Sequence, residues 1–206
     1  MLISTKHRFH HQPPPIVPDR VFVNPTQLVH MQFQVWGVRS VLEIGCGEGG
    51  IIGQFNTIDD RCGIDFSLDR LTFAKETYPN VRFIHGDVTE ELPSYFTPKA
   101  YDAVLLFDVL EHFEKDMSWH VLEEAERIAK RFVVVWGPLG QEGMDRYNKS
   151  RQDVEGMYHK CVLEEEEFAE RFFFTMIFPK YWERSYGADW TAAGMLAFKH
   201  VGGANH

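Results

Sequence analysis

Cysteine is scarce in this chain of 206 residues, which contains three, at positions 46, 62 and 161. They are too few and too scattered for a disulfide framework or a metal cluster, so we predict no metal site. Long apolar runs are also missing, since none approaches the roughly 20 residues of a membrane-spanning helix. The N-terminal stretch MLISTKHRFHHQPPP has no apolar core typical of a secretory signal. We therefore expect a reduced, cytoplasmic protein without a membrane partner.

Positive charge is in short supply. Lys and Arg number 21 against 30 Asp and Glu, which gives a formal net charge of -9. A protein that binds nucleic acid usually presents a basic face, and long-range repulsion here opposes phosphate binding. Basic residues cluster only locally, near Lys6 to His11 and Lys149 to Arg151. The balance favours a small or non-anionic substrate and makes nucleic acid an unlikely partner by charge.

Repeats and low-complexity linkers are missing too, and strand-like runs alternate with helical patterns. Strands are predicted over 40–45, 61–66, 81–87, 100–110 and 132–138, and a closing strand pair over 172–178 and 195–200. Helices are predicted over 25–38, 49–57, 67–79, 118–131 and 163–172. In the third of these, Ser67 is expected to cap a helix whose apolar positions include Leu68, Leu71 and Phe73. This alternation predicts an α/β fold, with an open, mostly parallel, doubly wound sheet covered by helices on both faces.

A glycine-rich stretch, VLEIGCGEGG, follows the first predicted strand. Gly45, Gly47 and Gly50 satisfy the G-x-G-x-x-G pattern of a dinucleotide pyrophosphate site. Glu43, Gly45, Gly47 and Gly49 satisfy a second pattern, in which an acid precedes three alternating glycines. The two patterns require ligands of opposite charge.

Acidic residues at the ends of the predicted strands favour the second pattern. Glu43, Asp65 and Asp87 end the first three strands, and Asp108 with Glu111 follows the fourth. A nicotinamide site needs one such acid, which Asp65 could supply about twenty residues beyond the glycines. Several carboxylates would repel a pyrophosphate where the loop itself contains no Lys or Arg. A positively charged nucleoside without phosphate fits better.

Residues 38–138 resemble the class I S-adenosylmethionine-dependent methyltransferases. VLEIGCGEG, GIDFS, HGDV and YDAVLLFDVLEHF carry the resemblance, in the expected order. DVLEHF is similar to the branch that methylates small molecules such as quinone or polyketide precursors and sugars. The resemblance implies a Rossmann-like, seven-stranded sheet with a C-terminal antiparallel strand pair, and S-adenosyl-L-methionine as cofactor.

The resemblance also implies roles for the first loop. Gly45, Gly47 and Gly49 would let the backbone pass close beneath the cofactor. Glu43 would orient the loop and help to hold the methionine amino end through water. Cys46 belongs to the same cofactor loop, where its side chain is expected to act as a small filler.

The next two strand ends would hold the nucleoside. By the same resemblance, Asp65 would accept hydrogen bonds from both ribose hydroxyls. Phe66 would pack on the adenine ring, Asp87 would accept from the adenine amino group, and the Val88 backbone would lie beside it. Two structural alternatives remain: Asp65 as a helix cap, and Asp87 as the residue that closes its own turn.

The methyl-transfer site would lie after the fourth strand, with Phe107 and Asp108 contacting the methionine moiety. A hydroxyl or ammonium acceptor must also lose a proton. His112 and His159 are the candidate general bases because imidazole titrates near neutral pH. Either histidine could instead have only a structural role.

The resemblance divides the chain into a flexible tail over residues 1–20 and one methyltransferase domain over residues 21–206. Residues 21–38 and 138–163 are expected to cover the substrate, together with the aromatic loop from Tyr181 to Trp190. The polar segment over 138–163 suits a mobile lid or a solvated connector. Tyr147, Tyr158, Tyr181 and Trp182 could form an acceptor wall or belong to the core.

These features predict an enzyme that transfers a methyl group to oxygen or nitrogen of a small-molecule acceptor. FDVL replaces the Asn/Asp-Pro-Pro-aromatic motif of amino-directed nucleic-acid methyltransferases, and no Pro-Cys pair follows the fourth strand. A protein acceptor stays possible. The alternatives are a nicotinamide-dependent oxidoreductase and a non-catalytic methyltransferase-like binding protein.

Overall fold

The computed structural model describes residues 24–90, 92–141, 144, 145, 148, 158–172, 174–178 and 193–202. The tail over 1–20, much of the polar segment over 138–163 and the aromatic loop from Tyr181 to Trp190 lie outside these residues. The division into tail and single domain, and the covering roles of 21–38 and 138–163, therefore stay predictions.

Seven strands form one sheet in the order β3-β2-β1-β4-β5-β7-β6. They are β1 (Ser40–Ile44), β2 (Asp60–Asp65), β3 (Arg82–His85), β4 (Tyr101–Phe107), β5 (Ala129–Pro138), β6 (Phe174–Phe178) and β7 (Gly194–His200). Strands β1 to β5 pair in parallel, whereas β7 is antiparallel to both β5 and β6. The doubly wound sheet with an antiparallel C-terminal pair is confirmed.

Helices cover both faces of the sheet. The α-helices are α1 (Pro25–Trp36), α2 (Leu68–Thr77), α3 (Leu92–Tyr95), α4 (Lys115–Ile128) and α5 (Glu165–Arg171), and the short 3-10 helices are η1 (Ile52–Gln54) and η2 (Leu110–His112). Val41 of β1 packs in one core cluster with residues of α1 and α2, and its neighbour Leu42 packs in the other with residues of α3, α4 and α5. Because successive strand residues face opposite sides, two apolar layers form from one continuous run.

The helix predicted over 49–57 is wrong, since only the short helix η1 forms there. This segment contains Gly49, Gly50 and Gly53, and glycine is a poor helix former. The amide of Ile52 donates to a carboxylate oxygen of Glu43 at 2.9 Å. The segment therefore closes against the end of β1.

Helix α2 begins as predicted, with the Ser67 side chain accepting from the amide of Arg70. Its buried face differs from the prediction: Leu71 and Ala74 are fully buried, whereas Leu68 is 56% exposed and Phe73 is 52% exposed. Leu71 and Ala74 form the narrow face of α2 that packs against the sheet. The apolar character of the helix residues alone does not distinguish this face from Leu68 and Phe73. Among the described helices, none is long and apolar enough to cross a membrane.

Candidate functional site

The strand order changes direction between β1 and β4. From β1 the chain runs to β2 and β3 on one side, while β4 and β5 lie on the other. Ligands of open α/β sheets bind at such a point, outside the carboxyl ends of the strands. The glycine turn follows β1, Asp65 ends β2 and Phe107 ends β4. The topology therefore places three of the predicted site segments at one edge of the sheet.

The turn after β1 needs glycine for its backbone conformation. Gly45, Gly47 and Gly49 have positive φ angles of 73, 50 and 77°. A Cβ atom on Gly45 would lie 2.6 Å from Cγ2 of Val109, and one on Gly49 would lie 2.8 Å from Cζ of Phe83. At these two positions, both the conformation and the surrounding side chains exclude larger residues.

Cys46 is buried within this turn, with 5% of its surface exposed. A Cβ atom on Gly63 of β2 would lie 2.6 Å from the Cys46 sulfur, which shows how closely the thiol packs there. Burial raises the pKa of the Cys46 thiol. The side chain fills the core, so a cofactor contact at this position falls to the backbone.

Asp65 joins the glycine turn to the start of α2. Its Oδ2 atom accepts from the amide of Gly47 at 2.8 Å, and its Oδ1 atom accepts from the amide of Ser67 at 2.8 Å. Ser67, and not Asp65, occupies the N-cap position of α2. A carboxylate offers about four lone-pair sites, so both oxygens keep acceptor capacity for further hydroxyl donors.

Glu43 lies beneath the turn and is 1% exposed. Burial raises the pKa of Glu43 well above its usual value, the hydrogen bond from the Ile52 amide opposes this rise, and the charges of Asp65 and Asp108 add to it. The three acids are therefore close enough to interact electrostatically, as their places at the strand ends predicted.

Asp108 follows β4 in a left-handed conformation, with φ of 52°. Its amide donates to the Trp136 carbonyl at 2.8 Å, which anchors the residue to the end of β5. Desolvation by the surrounding protein raises the pKa of Asp108. Phe107 is 5% exposed and packs in the core, so only its backbone is suited to contact a ligand.

Phe66 and Asp87 are exposed near the ends of β2 and β3. The Phe66 side chain is 66% exposed. Oδ1 of Asp87 accepts from the amide and the hydroxyl of Thr89, at 2.9 and 2.7 Å, so this residue closes its own turn. Val88 is buried beside it.

Arg70 brings a positive charge close to the glycine turn. Its Nη1 atom lies 3.7 Å from the place that a Cβ atom on Gly47 would occupy. The charge also lowers the pKa of His112, after the larger effect of burial. The loop itself contains no Lys or Arg, and α2, the helix that follows β2, supplies a cation from outside it.

The two predicted base residues lie close to Glu111, which is in the short helix η2 after β4. The rings of His112 and His159 are 4.9 Å apart between centroids, with an interplanar angle of 82°. Nε2 of His159 lies 3.9 Å from Oε1 of Glu111. Asn148 fixes the backbone of His159, because its side chain accepts from the His159 amide at 2.7 Å and donates to the His159 carbonyl at 2.8 Å.

Burial dominates the electrostatics of this cluster. It raises the pKa of Glu111 well above its usual value, and the charge of Asp108 adds to that rise. It lowers the pKa of His159 to about 3, with a further contribution from His112. Burial also lowers the pKa of His112, while the hydrogen bond to the Tyr158 carbonyl acts in the opposite direction. Both imidazoles are therefore held neutral.

Comparison with known proteins shows which family the chain resembles. Residues 41–131 match a family model described as a methyltransferase domain. Over these residues the chain is similar to methyltransferase domains, and its fold is that of S-adenosylmethionine-dependent methyltransferases. The match includes the glycine turn, Asp65 and the cluster residues Glu111 and His112. It replaces the nicotinamide-dependent alternative.

A viral protein is similar to half of this chain. A candidate methyltransferase, 235L, of Invertebrate iridescent virus 6 is 30% identical over 108 residues, covering 50% of this chain and 39% of that protein. The match thus spans about two fifths of the relative's length, so activity and substrate are not transferred from it.

Solved structures confirm the fold. A SAM-dependent methyltransferase from Archaeoglobus fulgidus has a TM-score of 0.58 at 17% identity, covering 84% of this chain and 94% of that one. Magnesium protoporphyrin IX methyltransferase of Synechocystis, with bound SAH, has a TM-score of 0.59 at 15% identity, covering 84% and 81%.

Arg70, Glu111 and Asn148 were missing from the predicted site residues. Glu111 was counted among the acids but received no role, although its place beside His112 was visible in the motif. Arg70 is one of the polar residues of a predicted helix, and its spacing does not distinguish it from the other polar residues there. Asn148 contacts its histidine through the backbone, which leaves no residue-type signature.

Proposed function

We propose that this chain transfers the methyl group of S-adenosylmethionine to an oxygen or nitrogen atom of a small-molecule acceptor. The observation that carries the proposal is the position of Asp65, whose carboxylate accepts a hydrogen bond from the Gly47 amide in the glycine turn. This turn lies at the acidic edge of the sheet, within the residues that match a methyltransferase domain. The acidic rim opposes phosphate-rich acceptors, which supports a small and non-anionic substrate.

The described residues fit the proposed cofactor. Asp65 retains lone pairs for the ribose hydroxyls, and the exposed ring of Phe66 offers a face for adenine. Asp87 and the Val88 backbone would lie at the adenine edge. The Arg70 guanidinium suits the methionine carboxylate, and this assignment adds a residue to the predicted set.

Glu43, Phe107 and Asp108 would support the other end of the cofactor. Glu43 holds the turn in shape through the Ile52 amide. The exposed Asp108 and the backbone of Phe107 lie at the end of β4, where the methionine amino group would approach. Negative charge at this point favours a cation.

The bound cofactor supplies a methyl group that its sulfonium makes electrophilic. The protein must hold the acceptor in line at near-attack distance and exclude water. In the transfer, a lone pair of the acceptor would form the new bond to the methyl carbon while the electrons of the carbon–sulfur bond pass to sulfur. A hydroxyl acceptor would lose its proton as this bond forms, and an ammonium acceptor would lose its proton beforehand.

Proton removal would fall to the cluster of Glu111, His112 and His159. His159, whose pKa is lowered to about 3, is too weak a base to act alone near neutral pH. The Nδ1 atom of His112 lies 3.2 Å from the Tyr158 carbonyl oxygen, so its Nε2 atom is the one suited to accept a proton.

The test is methyl transfer by the full chain from labelled S-adenosylmethionine. The acceptor panel should contain hydroxylated and amine small molecules, RNA oligonucleotides and unrelated folded proteins, with products identified by mass spectrometry. We expect labelled small-molecule product and S-adenosylhomocysteine in equal amounts. Labelled RNA or protein would overturn the acceptor class, and cofactor binding without any product would favour the non-catalytic alternative.

A further inference from the structure

We propose that Glu111, His112 and His159 form a binding site for a divalent metal ion of the zinc class. Each residue offers one ligand atom, and the three atoms lie within 4.8 Å of one another. Two imidazoles and one carboxylate are a ligand set that zinc and related first-row ions accept. The prediction of no metal site rested on the scattered cysteines and did not include this combination of side chains.

Glu111 provides the first structural reason. Its side chain is buried, and neither carboxylate oxygen has a hydrogen-bond partner among the described residues. A buried polar group without such a partner is costly, and a buried unpaired charge more so. A cation between the three side chains would compensate the carboxylate directly.

The distance between Glu111 and His159 provides the second reason. At 3.9 Å, Oε1 and Nε2 are too far apart for a direct hydrogen bond. Two ligands bonded to one tetrahedral ion at about 2.1 Å stand roughly 3.4 Å apart. The observed gap is therefore close to the separation that a shared ion requires, and a small side-chain movement closes it.

The tautomer of His112 provides the third reason. A carbonyl oxygen only accepts hydrogen bonds, so the contact with Tyr158 requires the proton on Nδ1. Nε2 then carries the lone pair that a metal binds. Metal-bound histidines commonly donate their other N–H to a backbone carbonyl in this way.

The backbone holds this arrangement in place. The amide of Lys160 donates to the Glu111 carbonyl at 2.7 Å, which ties the His159 segment to η2. Asn148 holds His159 from its other side. Gly137 of β5 lies against the carboxylate, since a Cβ atom there would lie 3.4 Å from Oε2 of Glu111.

Three protein ligands leave coordination positions open, as in catalytic zinc sites. Together with the proposed methyl transfer, on which this step rests, the open positions would select acceptors with an oxygen donor. With the ion bound, the Nε2 lone pair of His112 would be occupied, so the ion would replace that imidazole as the group that holds the acceptor oxygen and eases the loss of its proton. The acceptor class then narrows to hydroxyl compounds. Metal binding itself does not depend on the transfer activity.

The first experiment measures metal binding by the full, untagged chain after removal of metal with a chelator. Because His7, His10 and His11 lie close together in sequence, their triple Asn variant serves as the parent. Zn²⁺ is titrated by calorimetry, and Co²⁺ by its visible absorption. We expect one equivalent per chain, and at least about 100-fold weaker binding in Glu111→Gln, His112→Asn and His159→Asn.

Matched controls are available on α4, where Glu123 and His120 are exposed. Glu123→Gln and His120→Asn should bind the metal as the parent does. Circular dichroism and thermal unfolding establish that each variant is folded; if Glu111→Gln is not, the half-buried His112 provides the decisive variant. Absence of one-equivalent binding in the parent, or equal binding in the folded cluster variants, would overturn the proposal.

Binding of S-adenosylhomocysteine to the same proteins separates the two proposals. The cluster variants should keep the parent's affinity for it, because their side chains are assigned to the acceptor and not to the cofactor. A parent that binds Zn²⁺ but no cofactor would refute the methyl transfer and leave the metal site standing. A parent that methylates small molecules without binding metal would refute the metal site and leave the methyl transfer standing.

Discussion

The carboxylate of Asp65 accepts a hydrogen bond from the amide of Gly47 at 2.8 Å. This bond ties the end of β2 to the turn that follows β1, and the second carboxylate oxygen does the same for the start of α2. The residue that would bind ribose thus also fixes the shape of the loop beneath the cofactor.

We expect Asp65→Asn to weaken S-adenosylhomocysteine binding by roughly 10- to 100-fold, because hydrogen bonds to a charged group contribute about 1.5–3 kcal/mol. The amide also replaces one acceptor by a donor that faces a backbone N–H, so the melting temperature should fall. Calorimetry and thermal unfolding measure the two effects. Asp69→Asn, an exposed acid in the first turn of α2, should change neither; equal affinity of the two variants would contradict the ribose role.

Gly49→Ala tests the conformation of the turn. The positive φ and the approach to Phe83 at 2.8 Å both oppose a methyl group, so we expect a loss of about 1–3 kcal/mol in the free energy of unfolding. Gly50→Ala is the control, since that position has no positive φ and a Cβ atom would meet nothing within 4 Å. Urea denaturation compares them. Equal stability of both variants would refute a sterically restricted turn.

The strand positions could be predicted because strands covered on both faces must be apolar throughout, and the residues that end them are polar. β1 and β4 show this directly. The helix expected after β1 is reduced to η1, in a segment where three glycines disfavour a helix and the Ile52 amide donates to Glu43. Residue type alone does not reveal that a buried carboxylate accepts from that amide.

The candidate site was predictable where it follows strand ends, and not where it depends on long-range packing. Asp65 and Asp108 were found from their positions after strands. Arg70 reaches the turn from the next helix, and His159 reaches Glu111 only because backbone hydrogen bonds hold their segments together. Such contacts between distant parts of the chain leave no local pattern.

Arg70→Gln tests the proposed contact with the methionine carboxylate. We expect affinity for S-adenosylhomocysteine to fall by roughly 10-fold or more, since a charge-assisted bond is lost. Methylthioadenosine lacks the amino-acid carboxylate, so its affinity should stay nearly unchanged. Lys75→Gln, an exposed cation on the same helix, controls for net charge. An equal loss for both ligands would place Arg70 at the nucleoside or in the fold.

Phe66→Ala tests the proposed adenine contact. The ring is 66% exposed, so its removal should change the unfolding free energy by less than about 0.5 kcal/mol. Cofactor affinity should fall by roughly 5- to 150-fold, because a stacked base contributes about 1–3 kcal/mol. Phe73→Ala removes a ring that is 52% exposed on α2 and should leave affinity intact. Indistinguishable affinities of the two variants would rule out stacking on Phe66.

Glu43→Gln tests the buried acid through the pH dependence of stability. Burial raises the pKa of Glu43 above the ordinary value of 4.5, so the folded protein holds this proton more tightly than the unfolded chain. The contribution is therefore fully present below pH 4.5 and is lost as the pH rises through the folded pKa. Each unit of that rise corresponds to about 1.4 kcal/mol.

Glutamine keeps an oxygen for the Ile52 amide but does not ionise. We therefore expect the stability of Glu43→Gln, relative to the unmodified chain, to increase with pH across this window. Urea denaturation from acid to mildly alkaline pH measures the difference. Glu48→Gln replaces an exposed acid of the same turn and should parallel the unmodified chain. If the stability of Glu43→Gln also parallels that of the unmodified chain, the buried carboxylate has an ordinary pKa. Burial and the charges of Asp65 and Asp108 would then not raise the pKa of Glu43.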